Sequence, residues 1–478
     1  MIPFTLDEIG GVTGGRLVDG DPAATVTGVA VDSREVRPGD LFVALPGSRT
    51  DGSLFAVAAW QAGAVATMAP AGTVFAGPRV EVADPLAALA ALGTAVRDRS
   101  AATVVAVTGS NGKTTTKDLL AAALATRLRT VANRASFNNE VGLPLTLTRI
   151  EPDTQAVVVE MGARGPGHIA ALARLARPGV GVVLNVGESH LGMFGSRGAI
   201  AKAKAELVEA LPADGTAVLN ADDPQVAAMA DQTVAQVVRF GLGPTAAVRA
   251  GGVELDGDGA ARFLLTTPAG TAPTVLPAPG EHLVGCALAA AAVAHVLGVG
   301  PAEVAAGLAG AKLSPMRMQV VRRPDGLTIV NDAYNANPSS MAAALKTLAA
   351  LGRPGGRTVA VLGEMAELGP GAADEHDRIG RLATRLGIDR LVGVGALGRV
   401  LVNAARMEGM WPEEAEWVAD PEAAVALLTP TLGPADVVLV KASRVVALDT
   451  VADALLQPRP GGPGGSGSGA VAPRWDGH

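Results

Sequence analysis

One short segment constrains the fold of this chain more than any other, the stretch VAVTGSNGKTTT at residues 105–116. It continues an apolar run, 103–107, of the kind typical of a strand buried on both faces of a parallel sheet. A glycine-rich turn follows, and a helix is predicted to begin near Thr114. Glycines let the backbone turn tightly around an anion, and a helix N-terminus adds partial positive charge. The segment therefore predicts a phosphate-binding loop at the end of a central strand.

The residue types in this loop suit a nucleoside triphosphate. Lys113 is expected to reach the outer phosphates, and the Thr114 hydroxyl is expected to bind Mg²⁺. The spacing departs from the common G-x-x-x-x-G-K-[ST] pattern, because Val107 stands where the first glycine would be. A glycine turn without a ligand is the alternative, and the order strand, Gly, Lys, Thr, helix favours the nucleotide. The predicted contacts are Gly109, Ser110, Asn111, Gly112, Lys113, Thr114 and Thr115.

The rest of the sequence predicts a multidomain α/β protein, since 478 residues are enough for two to four domains. Strand-like runs alternate with helical segments after residue 100, which is typical of a doubly wound, mostly parallel sheet. The expected strands are 156–160, 181–186 and 216–220, then 328–331, 358–362, 390–394 and 437–440 in a Rossmann-like C-terminal series. The N-terminal hundred residues predict strands at 26–31 and 40–45 and helices at 54–63 and 84–99.

These patterns divide the chain into four segments. We predict a small α/β N-terminal domain over 1–99, a central P-loop domain over 100–313 and a C-terminal domain over 314–456. The last segment, 457–478, is rich in Gly, Pro and Ser and is expected to be disordered, because it has little apolar surface to bury.

Composition excludes several classes of protein. The net charge is -7 and no basic run is present, which argues against a nucleic-acid or membrane-surface binder. The single cysteine, Cys286, excludes an internal disulfide and a multi-cysteine zinc site. The N-terminus lacks a signal-peptide pattern, and the longest apolar stretch, 286–300, is too short to span a bilayer. We expect a soluble, cytoplasmic protein. Only seven lysines occur, so the place of each one is informative.

Several separated motifs resemble those of the Mur ligases, the ATP-dependent enzymes that build the peptide of bacterial peptidoglycan. Besides the loop they are DSR at 32–34, PGDLFVAL at 38–45, NNEVGLPLT at 138–146, EMGAR at 160–164, HLGMFGS at 190–196, DAYNANP at 332–338 and GEMAELG at 363–369. The resemblance runs from residue 31 to about 456. The last two motifs most resemble the branch that adds D-alanyl-D-alanine, and the Asp-Asn-Pro-Arg motif of the third-residue-adding branch is not found.

The resemblance implies a reaction. It implies an ATP- and Mg²⁺-dependent ligase that joins D-alanyl-D-alanine to UDP-N-acetylmuramoyl-tripeptide through an acyl phosphate, in cytoplasmic peptidoglycan precursor synthesis. A monomer without nucleic-acid partners or membrane insertion is expected. The alternatives are another Mur-type ligase, such as the third-residue-adding enzyme or folylpolyglutamate synthase, a P-loop kinase or GTPase-like switch, and a nucleotide-binding scaffold without activity.

Four residues outside the loop bear on metal binding and catalysis. Glu160 ends an apolar strand, where a carboxylate is well placed for Mg²⁺; a helix cap or surface ion pair is the alternative. On its own, His190 after a strand is more typical of a packed or solvent-facing residue than of a ligand, whereas the resemblance implies a place near a second Mg²⁺. Lys202 and Lys204 point about 200° apart on a predicted helix, so only one can face a site. The resemblance implies that Lys204 is carbamylated, which burial would favour by lowering its pKa.

The expected catalytic set is Lys113, Lys204, His190 and Glu160, and the expected metal set is Thr114, Glu160, His190 and Lys204. The resemblance further implies nucleotide contacts from His282, Arg317 and Asp332. It implies substrate contacts from Ser33 and Arg34 at the UDP end, beside Asp32, and from Asn138, Asn139, Asn335, Asn337, Lys441 and Ser443. A surface role is the alternative for those of the C-terminal domain.

The segment expected to bind adenine departs from the family's pattern. Family members usually have His-Asn-x-x-Asn-Ala at the start of a helix, and this chain has HLVGCA at 282–287. Leu283 and Cys286 replace the two amides and cannot supply an amide's paired donor and acceptor.

Overall fold

The computed structural model describes residues 1–47, 50–134, 136–187 and 191–457. The predictions for His190 and for the tail beyond Gln457 fall outside these residues. The chain forms two compact units. The first is Met1–Arg317 with Asn337–Ala343 and Glu367–Ala372, and the second is Met318–Ala336, Ala344–Ala366 and the chain from Ala373.

The N-terminal part of the first unit is a small α/β fold. Its strands are β1 (Phe4–Thr5), β2 (Arg16–Val18), β3 (Thr25–Val26), β4 (Gly28–Ala30), β5 (Asp40–Val43), β6 (Ala66–Pro70) and β7 (Arg79–Val82), and its helices are α1 (Leu6–Thr13), α2 (Ala56–Gln61) and α3 (Pro85–Asp98). The sheet order is β2-β7-β6-β5-β4, with only β2 antiparallel, and β1 pairs with β3 separately. Asp84 caps α3, and Pro85 suits its first turn.

Two predictions for this region are wrong in detail. The strand expected over 26–31 is two strands, because β3 pairs with β1 whereas β4 joins the larger sheet beside β5. The helix expected over 54–63 is shorter, since Gly52–Phe55 forms a 3₁₀ turn capped by Asp51 before α2 begins.

The central part of the first unit is built on a nine-stranded sheet. Its strands are β8 (Thr103–Thr108), β9 (Thr130–Ala132), β10 (Ala156–Glu160), β11 (Val180–Val183), β12 (Thr216–Asn220), β13 (Gln236–Gly241), β14 (Val248–Leu255), β15 (Ala260–Thr267) and β16 (Gly270–Pro279). Its helices are α4 (Lys113–Ala125), α5 (Gly142–Leu147), α6 (His168–Ala176), α7 (Leu191–Phe194), α8 (Arg197–Glu209), α9 (Pro224–Ala227), α10 (Leu283–Val296) and α11 (Pro301–Ala309).

The order of this sheet brings three strand ends together. The order is β16-β15-β14-β13-β12-β11-β8-β10-β9, parallel from β9 to β14 and antiparallel from β14 to β16. β8 lies between β10 and β11, and the carboxyl ends of parallel strands meet at one edge, where ligands bind open α/β sheets. The strand predicted over 181–186 ends at Val183, so residues 184–187 form a turn at that edge.

The second unit is built on a six-stranded sheet. Its strands are β17 (Gln319–Arg322), β18 (Thr328–Asn331), β19 (Thr358–Leu362), β20 (Arg390–Val394), β21 (Ala415–Val418) and β22 (Val437–Lys441), in the order β17-β18-β22-β19-β20-β21, with only β17 antiparallel. The helices that follow β18 along the chain are α12 (Pro338–Ala350), α13 (Ala372–Arg385), α14 (Gly398–Glu408), α15 (Pro421–Leu428) and α16 (Asp449–Leu456). The predicted α/β class with a mostly parallel central sheet and a Rossmann-like C-terminal sheet is confirmed.

None of the helices within the described ranges has the length and apolarity that crossing a bilayer requires.

Candidate active site

The phosphate-binding loop follows β8 as the sequence predicts, and close packing explains two of its glycines. A Cβ on Gly109 would lie 2.8 Å from the Cβ of Leu184. Gly112 has a φ of 80°, and a Cβ there would lie 2.8 Å from the Cys286 sulfur. α4 begins immediately afterwards, and the Lys113 ammonium donates to the Gly109 carbonyl at 2.8 Å. The loop therefore folds back on itself at the N-terminus of a helix, as an anion site requires.

Thr114 and Glu160 meet at the ends of β8 and β10. The Thr114 hydroxyl donates to Glu160 Oε2 at 2.8 Å, and Asn138 Nδ2 donates to Glu160 Oε1 at 2.8 Å. Glu160 is 1% exposed, so these two partners supply the hydrogen bonds that water cannot reach to supply. A carboxylate has about four acceptor positions, and each oxygen here accepts one of these two bonds. Capacity remains for a hard cation at this place.

Asn133, which directly follows β9, supports this carboxylate. Its Oδ1 accepts the Glu160 backbone N–H at 3.0 Å, and its carbonyl accepts the Lys117 ammonium at 3.0 Å. Lys117 is also paired with Asp118 at 2.6 Å. Asn133, which follows β9, and Lys117, which lies on α4, were not identified from the sequence. For Lys117 the available signal was its position four residues after Lys113 on the helix that follows the loop.

Positive charge is concentrated around the loop. Arg317 donates from Nη2 to the Thr114 hydroxyl at 3.2 Å and to the Ser136 hydroxyl at 3.4 Å. Burial lowers the pKa of Lys113, the charge of Glu160 opposes that shift, and the charge of Arg317 adds to it. The structure thus brings together Lys113, Thr114, Glu160 and Arg317, which the sequence analysis assigned to one nucleotide site.

The two lysines of α8 have opposite environments. Lys202 is exposed, whereas Lys204 is 6% exposed. Burial, together with a smaller contribution from the neighbouring charge of Lys113, lowers the pKa of Lys204 to about 7. A substantial share of the Lys204 side chain is therefore an uncharged amine near neutral pH.

Three models of one protein family match successive parts of the chain. The family model described as "Mur ligase family, catalytic domain" matches residues 25–109, "Mur ligase middle domain" matches 107–294, and "Mur ligase, glutamate ligase domain" matches 316–444. The UDP-N-acetylmuramoyl-tripeptide–D-alanyl-D-alanine ligase of Mycobacterium tuberculosis is 48% identical to this chain, in an alignment that covers 95% of this chain and 98% of that protein.

The chain belongs to the Mur ligase family.

Other relatives agree with this assignment. The enzyme with the same printed name from Escherichia coli is 36% identical over 95% of this chain and 99% of its own length. A crystal structure of MurF from Acinetobacter baumannii superimposes with a TM-score of 0.83 at 31% identity, covering 95% of this chain and 99% of that one. The MurF ligase from Thermotoga maritima in complex with ADP gives 0.77 at 28% identity, covering 90% and 97%. The alternative of a P-loop kinase is therefore excluded.

In this Mur ligase the predicted residues of the N-terminal part form their own cluster. Asp32 caps the 3₁₀ turn Ser33–Glu35, and Arg34 donates to both oxygens of Asp32, from Nε at 3.0 Å to Oδ1 and from Nη2 at 2.6 Å to Oδ2. These hydrogen bonds hold the pKa of Asp32 below its ordinary value. Asn139 is occupied locally, since its Oδ1 accepts the Gly142 N–H at the start of α5.

In the second unit the predicted residues of the Mur ligase cluster at the ends of β18 and β22. Lys441 is 2% exposed, and its ammonium donates to Asp332 Oδ2 at 2.5 Å and to the Asn335 carbonyl at 3.0 Å. Ser443 accepts the Ala366 N–H at 2.8 Å. Asn337, which belongs to the first unit, caps α12, because its Oδ1 accepts the N–H of Ser340 at 2.9 Å. Asp332, predicted to contact the nucleotide, and Lys441, predicted to contact the substrate, thus form an ion pair that is largely buried.

The segment predicted to bind adenine has its polar residue outermost. His282 is exposed at the start of α10, whereas Leu283 and Cys286 are buried. The Cys286 thiol lies 3.8 Å from the Gly112 carbonyl, and burial raises its pKa. In this Mur ligase Cys286 packs under the phosphate-binding loop.

Sequence reasoning also missed Asn185 and His376. Asn185 directly contacts the loop, and His376, fully buried on α13, accepts the Met365 N–H at 2.9 Å on Nε2. The strand predicted over 181–186 placed Asn185 inside a strand, whereas β11 ends at Val183 and leaves Asn185 in the turn beside the loop.

Proposed function

We propose that this Mur ligase joins D-alanyl-D-alanine to UDP-N-acetylmuramoyl-tripeptide and converts ATP to ADP and phosphate. The observation that carries the proposal is the end-to-end similarity to enzymes of that printed name, at 48% identity over 95% of the chain. The geometry around Lys113 and Glu160 supports it, because a peptide bond formed from a free carboxylate needs an activated acid. The acceptor carboxylate attacks the γ-phosphate of ATP, and the amine of the dipeptide then displaces phosphate from the acyl phosphate.

The residues of the loop bind and orient the triphosphate. Lys113 neutralises the outer phosphates, and Arg317 adds a second positive charge beside the Thr114 hydroxyl. Catalysis here is chiefly positioning and charge stabilisation, as in other phosphoryl transfers.

Thr114 and Glu160 are the residues that would hold Mg²⁺. Their hydroxyl and carboxylate oxygens are of the kind Mg²⁺ prefers, and the ion usually keeps waters and substrate phosphates as its other ligands. When bound, Mg²⁺ would neutralise charge on the phosphates. A second position involving His190 and Lys204 remains a proposal.

Lys204 is proposed to carry a carbamate. Its amine is buried and has a pKa of about 7, so the uncharged form that reacts with CO₂ is available. The product, an anionic carbamate formed with release of one proton, would reverse the charge at this position beside Lys113.

The substrate ends are assigned by the same proposal. Ser33 and Arg34 bind the UDP end, and His282, Arg317 and Asp332 bind the nucleotide. The residues proposed for the peptide substrates are Asn138, Asn139, Asn335, Asn337, Lys441 and Ser443. The proposed domains are 1–99, 100–313 and 314–456, and a cytoplasmic monomer is proposed for the whole protein.

Phosphate release from ATP tests the choice of substrates. We expect rapid release only when UDP-N-acetylmuramoyl-tripeptide and D-alanyl-D-alanine are both present, and slow release with ATP alone. The matched control replaces the tripeptide with the dipeptide and D-alanyl-D-alanine with a diamino acid. Faster release in that control would identify a third-residue-adding enzyme instead.

A further inference from the structure

The turn after β11 holds the phosphate-binding loop through one side chain. The Asn111 N–H donates to Asn185 Oδ1 at 2.9 Å, and Asn185 Nδ2 donates to the Asn111 carbonyl at 3.2 Å. The Ser110 N–H donates to the main-chain carbonyl of Asn185 at 3.1 Å. Both polar groups of the Asn111 main chain are therefore fixed by the amide of Asn185.

Two further contacts hold the phosphate-binding loop against the turn after β11. The Gly187 N–H donates to the Ser110 hydroxyl at 2.8 Å, and Gly109 lies against the side chain of Leu184. Residues 109–111 are thus each held from the β11 side, and the last loop residue before α4 is Gly112.

The turn itself is held by other elements. The Val186 N–H donates to Asp223 Oδ2 at 2.8 Å, and Arg197 donates to the Val186 carbonyl at 2.9 Å. Asn220 Nδ2 donates to the Leu184 carbonyl at 2.8 Å. Asn185 therefore acts from a fixed support, as positioning within fractions of an ångström requires.

The hydrogen bonds sort the backbone donors of the loop into two groups. The N–H groups of Ser110 and Asn111 point to Asn185. The Thr116 N–H donates to the Gly112 carbonyl and begins the hydrogen bonding of α4. The N–H groups of Lys113, Thr114 and Thr115 precede that first bond, in the place where helix N-termini bind anions.

We propose that Asn185 is a positioning residue for the nucleotide phosphates, acting through the main chain of Asn111. It fixes the peptide planes that precede Gly112, and so aims the donors of the first turn of α4 at the phosphates. This inference rests on the proposed function only in that the loop binds a nucleoside triphosphate.

The test compares Asn185→Ala with Thr233→Ala. Both side chains are half-buried and each makes two hydrogen bonds to main-chain groups, but only Asn185 contacts the loop. We expect Asn185→Ala to weaken ADP binding in calorimetry about tenfold, as the loss of one to two hydrogen bonds implies. The KM for ATP should rise similarly, while the KM for D-alanyl-D-alanine stays within about twofold.

The controls separate this proposal from the proposed function. Thr233→Ala should bind ADP like the wild type, and equal ADP affinity of the two variants would overturn the role of Asn185. Should Asn185→Ala fail to fold, Asn185→Asp keeps the shape and removes the donor to Asn111, and undiminished ADP binding by it would also overturn the role. A wild-type enzyme that does not bind ADP would instead reject the proposed function.

Discussion

Lys204 is the residue whose chemistry depends most on its surroundings. An exposed lysine amine is protonated at neutral pH, with a pKa near 10.4, and is unreactive towards CO₂. On α8 burial lowers the pKa of Lys204 to about 7, while Lys202, two residues earlier, is exposed. Folding therefore produces one reactive amine in a helix that carries two lysines.

We expect ¹³C-bicarbonate at pH 8 to give a carbamate NMR signal from the wild-type enzyme. The signal should grow between pH 6 and pH 8, because the amine of Lys204 loses its proton across this range. Lys204→Arg should abolish it, and Lys202→Arg, on the exposed side of the helix, should retain it. A signal that survives Lys204→Arg would contradict the assignment.

The sequence predicted the position of a site residue correctly where its place at the end of one recognisable strand was sufficient. Glu160 ends β10 and Lys113 follows β8, so the strand pattern placed both at one edge. Asn133 and Asn185 were missed because their role depends on which strands are neighbours, and the order β11-β8-β10-β9 is not visible in a strand's own residues.

At the scale of elements, Glu206 joins α8 to α6. Its Oε1 accepts the Gly167 N–H at 2.6 Å, and its Oε2 accepts the Ala170 N–H at 2.9 Å. A carboxylate that binds N–H groups at a helix start satisfies donors that lack intrahelical partners and interacts favourably with the helix dipole. The helix that carries Lys204 is thereby fixed to its neighbour.

We expect Glu206→Ala to lower the free energy of unfolding by about 1 kcal/mol, the usual effect of losing an N-terminal cap. Urea denaturation checks this, with Glu209→Ala as the matched control, because Glu209 is an exposed glutamate on the same helix. Equal destabilisation by the two substitutions would show that the cap contributes nothing.

Elements buried on both sides were the most predictable. β10, β12, β18, β19 and β20 have the predicted bounds, since continuous apolar runs leave little choice of conformation. The strands β14–β16 were not predicted, because they lack such runs: β14 is mostly exposed, and β15 and β16 alternate exposed and buried residues at the edge of the sheet.

At the scale of the whole molecule, the proposed phosphate contacts are a few individually placed cations and not a basic surface. The net charge is -7, and of seven lysines Lys117, Lys204 and Lys441 are buried. Lys113, Lys202, Lys204 and Lys441 were all considered from the sequence, but Lys202 is exposed, and the buried Lys117 was missed. The scarcity of lysine drew attention to the right residue type, but only the structure shows which lysines are buried.

The central claim is that the acceptor carboxylate is activated as an acyl phosphate in the site around Lys113, Thr114 and Glu160. The direct measurement uses UDP-N-acetylmuramoyl-tripeptide with ¹⁸O at both oxygens of the reacting carboxylate, together with ATP and D-alanyl-D-alanine. Attack on the γ-phosphate places one carboxylate oxygen between carbon and phosphorus, and the amine then displaces phosphate with that oxygen. We expect one ¹⁸O in each released phosphate, whereas release of unlabelled phosphate during peptide formation would rule out an acyl phosphate.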